Sequence, residues 1–237
     1  MVNYTNEQAR EYAQYISDKQ GAGTLHGWVL NHDMVEHAQQ VLTTYINATS
    51  APLHKVFDVG CGTGEMLYQI GEIYPAYLAR VGVNLFPSQI EMTPAVPGLS
   101  RVCADFAAKS VPARDVGAYD LVMCNYTLGH FEGLFECFSK MYELLTPGGT
   151  LGLYDIARRS VMWNEICGYH LYSKAEIRDS LNLAGFVDVH EWCKDYMINP
   201  LFADEKTEEG RKLVREWETK TSPFLITAHK EESDGCR

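Results

Sequence analysis

Residues 56–64 read Val-Phe-Asp-Val-Gly-Cys-Gly-Thr-Gly, and this stretch restricts the fold more than any other in the chain. Lys55 to Val59 is a short apolar run with β-branched members, the pattern of a buried strand. Gly60, Gly62 and Gly64 follow at alternate positions, and a helical pattern begins at Glu65-Met66-Leu67-Tyr68-Gln69-Ile70. Strand, glycine turn and helix in that order let a nucleotide-like ligand approach the backbone at a helix N-terminus. A dinucleotide fingerprint is spaced Gly-x-Gly-x-x-Gly and seats a pyrophosphate there. The spacing here is Gly-x-Gly-x-Gly, with Asp58 inside the strand just before the turn. A carboxylate at that place repels phosphate and suits a ligand that carries positive charge.

From Lys55 onward the chain alternates strand and helix patterns. Strands are expected at 55–59, 79–84, 100–104, 119–124 and 149–156, with helices at about 64–73, 87–92 and 132–145. Such alternation predicts an α/β fold with a doubly wound, mostly parallel sheet. Ser173 followed by Glu176 is a capping box opening a further helix, which Gly185 ends. Phe186 to Trp192 and Phe224 to His229 supply two more strands, for a seven-stranded Rossmann-like sheet, and a charged helix near 203–218 separates them. Ahead of the sheet, residues 5–18 and 33–48 have helical spacing, with Asn31 or Asp33 as cap of the second helix. Between them runs a loop rich in glycine and aromatic residues, Gly21 to Asn31. The expected organisation is a helical lid over 1–50 and a ligand-binding domain over 51–237.

The 237 residues suffice for one such domain with a full core. No run of 18 apolar residues is present, and the first residues lack the pattern of a signal peptide. Seven cysteines are scattered with no C-x-x-C pair, which predicts reduced thiols, a cytoplasmic location and no metal site. The formal charge of −11 and the absence of a basic run argue against nucleic acid or an anionic membrane surface as partner. A small molecule is the expected partner, and a homo-oligomer is compatible with the composition.

The stretch Asp58-Val59-Gly60-Cys61-Gly62-Thr63-Gly64 resembles motif I of the class I S-adenosylmethionine (SAM) dependent methyltransferases. Later segments fall in the same order. Strand two ends in Val81-Gly82-Val83-Asn84, where ribose hydroxyls are bound in such folds. The string Gly-Val-Asn-Leu-x-x-x-Gln, ending at Gln89, is similar to the C-methyltransferase branch, whose members include the sterol, cyclopropane-fatty-acid and prenyl diphosphate enzymes. Cys103-Ala104-Asp105-Phe106 matches the segment that holds adenine, and Leu144 to Gly149 matches the turn into strand five. The resemblance covers roughly residues 20 to 190. It implies a SAM site formed by Asp58, Gly60, Cys61, Gly62, Gly64, Asn84, Leu85, Gln89, Asp105, Phe106 and Asn125.

Methyl transfer from a sulfonium asks chiefly for alignment and a dry site. An alkene acceptor leaves a carbocation, which aromatic faces stabilise and a base then quenches. Fourteen tyrosines are in keeping with such a cavity. The expected catalytic residues are His130 and Tyr126, with Glu132 and Glu165 as alternative bases. At Tyr126 the chain departs from the prenyl diphosphate enzymes, which carry a Glu near this position. Acceptor-binding residues are expected among His26, Trp28, Tyr154, Arg158, Trp163 and Tyr169. Arg158, Arg159, Lys174 and Arg178, with Lys19 from the lid, could hold a diphosphate, as could a magnesium ion carried by it. The expected activity is C-methylation of an isoprenoid diphosphate. The alternatives are O- or N-methylation of a small natural product with His130 as base, and a SAM-binding module without turnover.

Overall fold

A computed structural model describes residues 32–74, 76–93, 95–108, 110–166, 169–193 and 208–232. Its strands are β1 (Lys55–Val59), β2 (Ala79–Asn84), β3 (Leu99–Cys103), β4 (Tyr119–Asn125), β5 (Leu145–Arg158), β6 (Glu165–Ile166), β7 (Tyr169–His170), β8 (Phe186–Trp192) and β9 (Thr221–Lys230). Its helices are α1 (His32–Ala48), α2 (Glu65–Ile73), α3 (Pro87–Met92), α4 (Leu134–Leu144), α5 (Lys174–Leu183) and α6 (Glu208–Lys220).

Seven strands form one sheet in the order β3-β2-β1-β4-β5-β9-β8. The first five run parallel to one another, and β9 inserts antiparallel between β5 and β8. The chain winds outward from β1 to β3, then returns to lay β4 on the other side of β1. The crevice above the C-terminal ends of β1 and β4 is therefore the switch point, where open α/β sheets receive ligands.

The central strands are apolar on both faces because each face is covered by helices. In β4, Val122 and Cys124 point to a core shared with Phe138 and Met141 of α4, while Leu121 and Met123 point to a core shared with Leu42 of α1 and Leu67 of α2. The period of two along the strand splits one apolar run between two cores. The Ser173 capping box forms as expected, with the Ser173 hydroxyl accepting from Glu176 N and the Glu176 carboxylate accepting from Ser173 N.

Several boundaries differ from expectation. Strand β5 begins at Leu145 and β9 at Thr221, since the two strands pair from Thr150–His229 to Arg158–Thr221 and extend each other beyond their apolar centres. Asp33 lies inside α1, which is already helical at His32, rather than capping it. The two-residue strands β6 and β7 form a hairpin that has no periodic signal in so short a segment. Helix 5–18, the loop 21–31, Asn31 and residues 203–207 lie outside the described residues. Cys61, Cys124 and Cys137 are buried free thiols, and Cys103 and Cys193 are exposed free thiols. Among the described residues no helix is long and apolar enough to cross a membrane.

Candidate active site

The turn after β1 is built on left-handed backbone. Gly60, Gly62 and Gly64 have φ of 74°, 56° and 85°, a region that side chains with a Cβ occupy at a cost of about 1–2 kcal/mol. Gly60 is doubly committed, because a Cβ there would collide with the Thr127 side chain. The Gly60 and Cys61 N–H groups donate to Val83 O at 2.9 and 3.0 Å, which ties the turn to the end of β2. Gly64 then precedes the first residue of α2.

Asp58 sits one residue below the turn and is 1% exposed. Burial pushes its carboxyl up to about 8, the Glu65 charge pushes in the same direction, and the Asn125 carboxamide pulls it down. Asp58 Oδ1 and Asn125 Nδ2 are both buried and have no hydrogen-bond partner among the described residues. The Asn125 Oδ1 accepts from the Tyr45 hydroxyl of α1 at 2.9 Å.

A cleft of about 780 Å³ opens beside the turn. Its wall brings together Gly60, Asn84, Leu85, Asp105, Phe106 and His130 of the sequence-derived set. Asn84 donates through Nδ2 to Gln89 Oε1 at 2.6 Å, so Gln89 fixes the orientation of Asn84 from behind the wall. Asp105 Oδ1 accepts from the N–H groups of Ala107 and Ala108 at 2.9 and 3.2 Å, which shapes the loop after β3. Phe106 stands 6.3 Å from both Phe57 and Phe131, giving the cleft an aromatic side. Among the described residues the charged ones on the wall are Asp105, Glu132 and Glu136, with no lysine or arginine. Among the described residues no cluster of three or more His, Cys, Asp or Glu is arranged to hold a metal ion.

The loop after β4 carries the chemistry nearest the switch point. Tyr126 has φ of 48°, a strained value for a bulky side chain. What holds it is Asp155, a carboxylate with no exposure that accepts from the N–H groups of both Thr127 and Leu128 at 3.0 Å and from the Tyr169 hydroxyl at 2.7 Å. Burial outweighs these bonds and raises the Asp155 carboxyl to about 6. His130 ends the 3₁₀ turn that follows and packs edge-on to Tyr169 with ring centroids 4.9 Å apart. His130 is exposed on the cleft side, and the protein packed behind it disfavours the imidazolium and lowers its pKa toward about 4. The imidazole is therefore neutral at pH 7.

Other expected residues stand elsewhere. The Tyr126 ring packs against Tyr154 at 5.0 Å and is not on the cleft wall, and burial holds its phenol well above the ordinary range. Tyr154 is 1% exposed and sits in the core under α1, so it presents no surface to an acceptor. Tyr169 is buried and its hydroxyl is engaged by Asp155. Arg158 forms an ion pair with Glu176 at 2.7 Å and donates to Leu171 O, a role in joining β5 to α5. Lys174 and Arg178 both pair with Glu191, at 2.5 and 3.7 Å, and Arg159 donates to Thr221 O. Lys220 stands 4.4 Å over the Trp163 ring. Glu165 lies in β6, while His26, Trp28 and Lys19 are outside the described residues. Thr127, Asp155 and Tyr45 went unnoticed in the sequence. Only Asp155 carried a signal, as a lone carboxylate within the apolar run of β5.

Residues 57–151 match the family model described as a methyltransferase domain. The chain is similar to the malonyl-[acyl-carrier protein] O-methyltransferase of Priestia megaterium, 28% identical over 115 residues that cover 47% of this chain and 39% of that protein. Among solved structures it resembles phosphoethanolamine N-methyltransferase 2 of Haemonchus contortus in complex with phosphomonomethylethanolamine and S-adenosylhomocysteine (TM-score 0.71, 14% identity, 93% of this chain and 60% of that one). It also resembles the geranyl diphosphate C-methyltransferase of Streptomyces coelicolor A3(2) in complex with Mg2+, geranyl diphosphate and S-adenosylhomocysteine (TM-score 0.65, 14% identity, 88% of this chain and 84% of that one). At these identities the structural likeness is one of fold. The chain spans about two fifths of the length of the first curated relatives it matches.

Proposed function

The chain carries a methyltransferase domain of the class I, SAM-dependent kind, and on that premise we propose that it transfers a methyl group from SAM to nitrogen or oxygen of a small-molecule acceptor. The observation that carries the reading is the charge of the cleft. Among the described residues its wall holds Gly60, Asn84 and Asp105 together with the carboxylates Glu132 and Glu136, and no lysine or arginine. Such a wall suits a sulfonium and an amine and disfavours a pyrophosphate.

The residues present fit SAM. The orphaned Asp58 Oδ1 and Asn125 Nδ2 can take the polar end of a cofactor lying over Gly60, and Asn84 and Asp105 can take hydroxyl and amino groups. Bound there, SAM supplies an electrophilic methyl group, and the enzyme contributes alignment and exclusion of water. His130 meets the cleft as a neutral imidazole, which can accept a proton from an attacking amine or hydroxyl. Glu132 offers a carboxylate on the same wall.

Methylation at carbon of a prenyl diphosphate is the second reading. The Asn84–Gln89 pair and the likeness to a geranyl diphosphate C-methyltransferase fold favour it. Against it, Arg158, Lys174 and Arg178 are already paired with carboxylates and so offer a diphosphate little free charge. Mass spectrometry after incubation with trideuteromethyl-SAM and a panel of amines, phenols, carboxylates and prenyl diphosphates separates the two. Label on nitrogen or oxygen supports the heteroatom reading. Label on a prenyl carbon reverses the order. SAM binding without label in any product favours a binding module.

A further inference from the structure

A hydrogen bond from α1 reaches the switch point, where Tyr45 meets Asn125 at the end of β4 beside Asp58 of β1. Tyr45 has no exposure and lies in α1, which packs over β5. Its ring occupies the space above Gly152, where a Cβ would stand 2.6 Å from the ring. Its hydroxyl donates to Asn125 Oδ1 at the end of β4 at 2.9 Å. A carboxamide has one acceptor end and one donor end. With Oδ1 engaged by Tyr45, the donor end, Nδ2, is the one left for Asp58 on the adjacent strand β1, and both Nδ2 and Asp58 Oδ1 lack a partner among the described residues.

We propose that Tyr45 is a positioning residue for the cofactor, holding the Asn125 carboxamide with its N–H₂ toward Asp58 so that the Asp58 carboxyl can receive the positively charged end of SAM. The inference rests on the reading of the Gly60–Gly64 turn as a SAM site and adds a determinant from outside the sheet. Three observations agree with it. Gly152 has no conformational reason to be glycine, as its φ is not positive, but any side chain there would displace Tyr45. A Tyr hydroxyl so deeply buried needs a partner, and Asn125 Oδ1 serves. Asn125 is also the group that opposes the upward push of burial on the Asp58 carboxyl. The other titratable groups facing Asp58 are Glu65 at the start of α2, the Cys61 thiol in the turn and the Cys124 thiol of β4. Glu65 works against ionisation of Asp58, and the two thiols, both pushed further from ionisation by burial, supply no positive charge. The amide of Asn125 is thus the group among these that favours the ionised carboxylate, against burial and Glu65. If it turned over, Oδ1 would face Asp58 and favour the protonated carboxyl.

The test is calorimetric binding of S-adenosylhomocysteine between pH 6 and 9 to the wild-type chain and to Tyr45→Phe, with thermal unfolding of each ligand-free protein. Tyr45→Phe keeps the ring over Gly152 and removes only the hydroxyl. The expected result is affinity about fivefold weaker at neutral pH, the effect of one ordinary hydrogen bond, with the pH midpoint of binding moved upward. The amine of the ligand titrates alike in both experiments, so the difference between the midpoints reports on Asp58. Equal affinity and equal midpoint would overturn the proposal, as would weaker affinity with an unmoved midpoint, which is what simple loosening of α1 produces. If Tyr45→Phe does not fold, Asn125→Asp reads the same link. It keeps an acceptor for Tyr45 but presents no N–H₂ to Asp58, and an unmoved midpoint there overturns the proposal equally. Failure of the wild-type chain to bind the ligand at any pH instead removes the SAM reading itself.

Discussion

The Tyr169 hydroxyl lies 2.7 Å from each carboxylate oxygen of Asp155, and the same carboxylate accepts from the backbone of Thr127 and Leu128. One side chain of β5 thereby sets the conformation of the loop that holds Tyr126 at positive φ and delivers His130 to the cleft. Removing Asp155 takes the side-chain acceptor from three buried N–H groups, those of Thr127, Leu128 and Ile156, and from a phenol. Asp155→Ala is expected to lose about 3 kcal/mol of stability, whereas Tyr169→Phe loses about 1 kcal/mol. Urea unfolding of the two variants checks the order, and equal losses would place the weight on the tyrosine.

Asp58 and Asp155 make stability depend on pH in a direction opposite to that of most paired carboxylates. Burial raises their folded values from 3.8 to about 8 and about 6. The folded chain thus keeps two protons that the unfolded chain releases near pH 4, and stability falls as pH rises from there through those two values. Asp58→Asn removes the larger contribution. Its Tm is expected to exceed that of the wild type by about 5 °C at pH 8 and to match it near pH 4, with loss of cofactor binding. A Tm deficit at pH 8 would mean that the ionised carboxylate is stabilised in the folded chain.

His130 has the opposite sign. Its pKa falls from 6.5 to about 4, so the folded chain lacks a proton that the unfolded chain carries between those values. The stability this leaves in place above pH 6.5 is lost as pH falls toward 4. His130→Gln should flatten that limb of a Tm profile. With an identified acceptor, His130→Ala should lower kcat by about 100-fold and leave S-adenosylhomocysteine affinity near that of the wild type. Undiminished turnover would assign His130 a packing role against Tyr169.

Gly60 faces two obstacles to substitution, its φ of 74° and the Thr127 side chain. Gly60→Ala should cost about 2 kcal/mol in urea unfolding and abolish S-adenosylhomocysteine binding. Wild-type affinity in a folded Gly60→Ala protein would remove the turn from the cofactor site.

Arg158 distinguishes a structural cation from a diphosphate-binding one. Its pairing with Glu176 and Leu171 predicts that Arg158→Met loses about 1 kcal/mol of stability. The KM for the acceptor that mass spectrometry identifies should not change. A large rise in KM for a prenyl diphosphate with little change in Tm would restore Arg158 to the acceptor site.

Much of the fold was legible because its signals are local. The apolar runs of β1 and β2, the glycines at 60, 62 and 64, and the Ser173–Glu176 capping box each lie within a few residues, and backbone sterics and hydrogen bonding act over that range. The candidate cofactor residues were legible for the same reason, since Gly60, Asn84 and Asp105 lie at or within two residues of the C-terminal end of a strand, and parallel strands bring those ends to one edge. The full lengths of β5 and β9 were not legible, because each is extended by pairing with a partner distant in sequence.

The roles of the tyrosines and arginines followed the same division. A tyrosine in sequence has the same composition whether it lines a cavity or fills a core, and Tyr154 and Tyr169 were separated from the cleft wall only by what packs on them. Arg158 reads as a free cation until Glu176, eighteen positions on, is folded against it. Local sequence determined the α/β class, the turn after β1 and the strand-end residues that surround the cleft. Tertiary structure alone decided that Asp155 supports the loop after β4, that the described arginine and lysine side chains near β5 and α5 are paired, and that Tyr45 reaches Asn125 across 80 positions. The physical reason is that charge, protonation and exposure depend on neighbours in space, and only the packed sheet determines which neighbours those are.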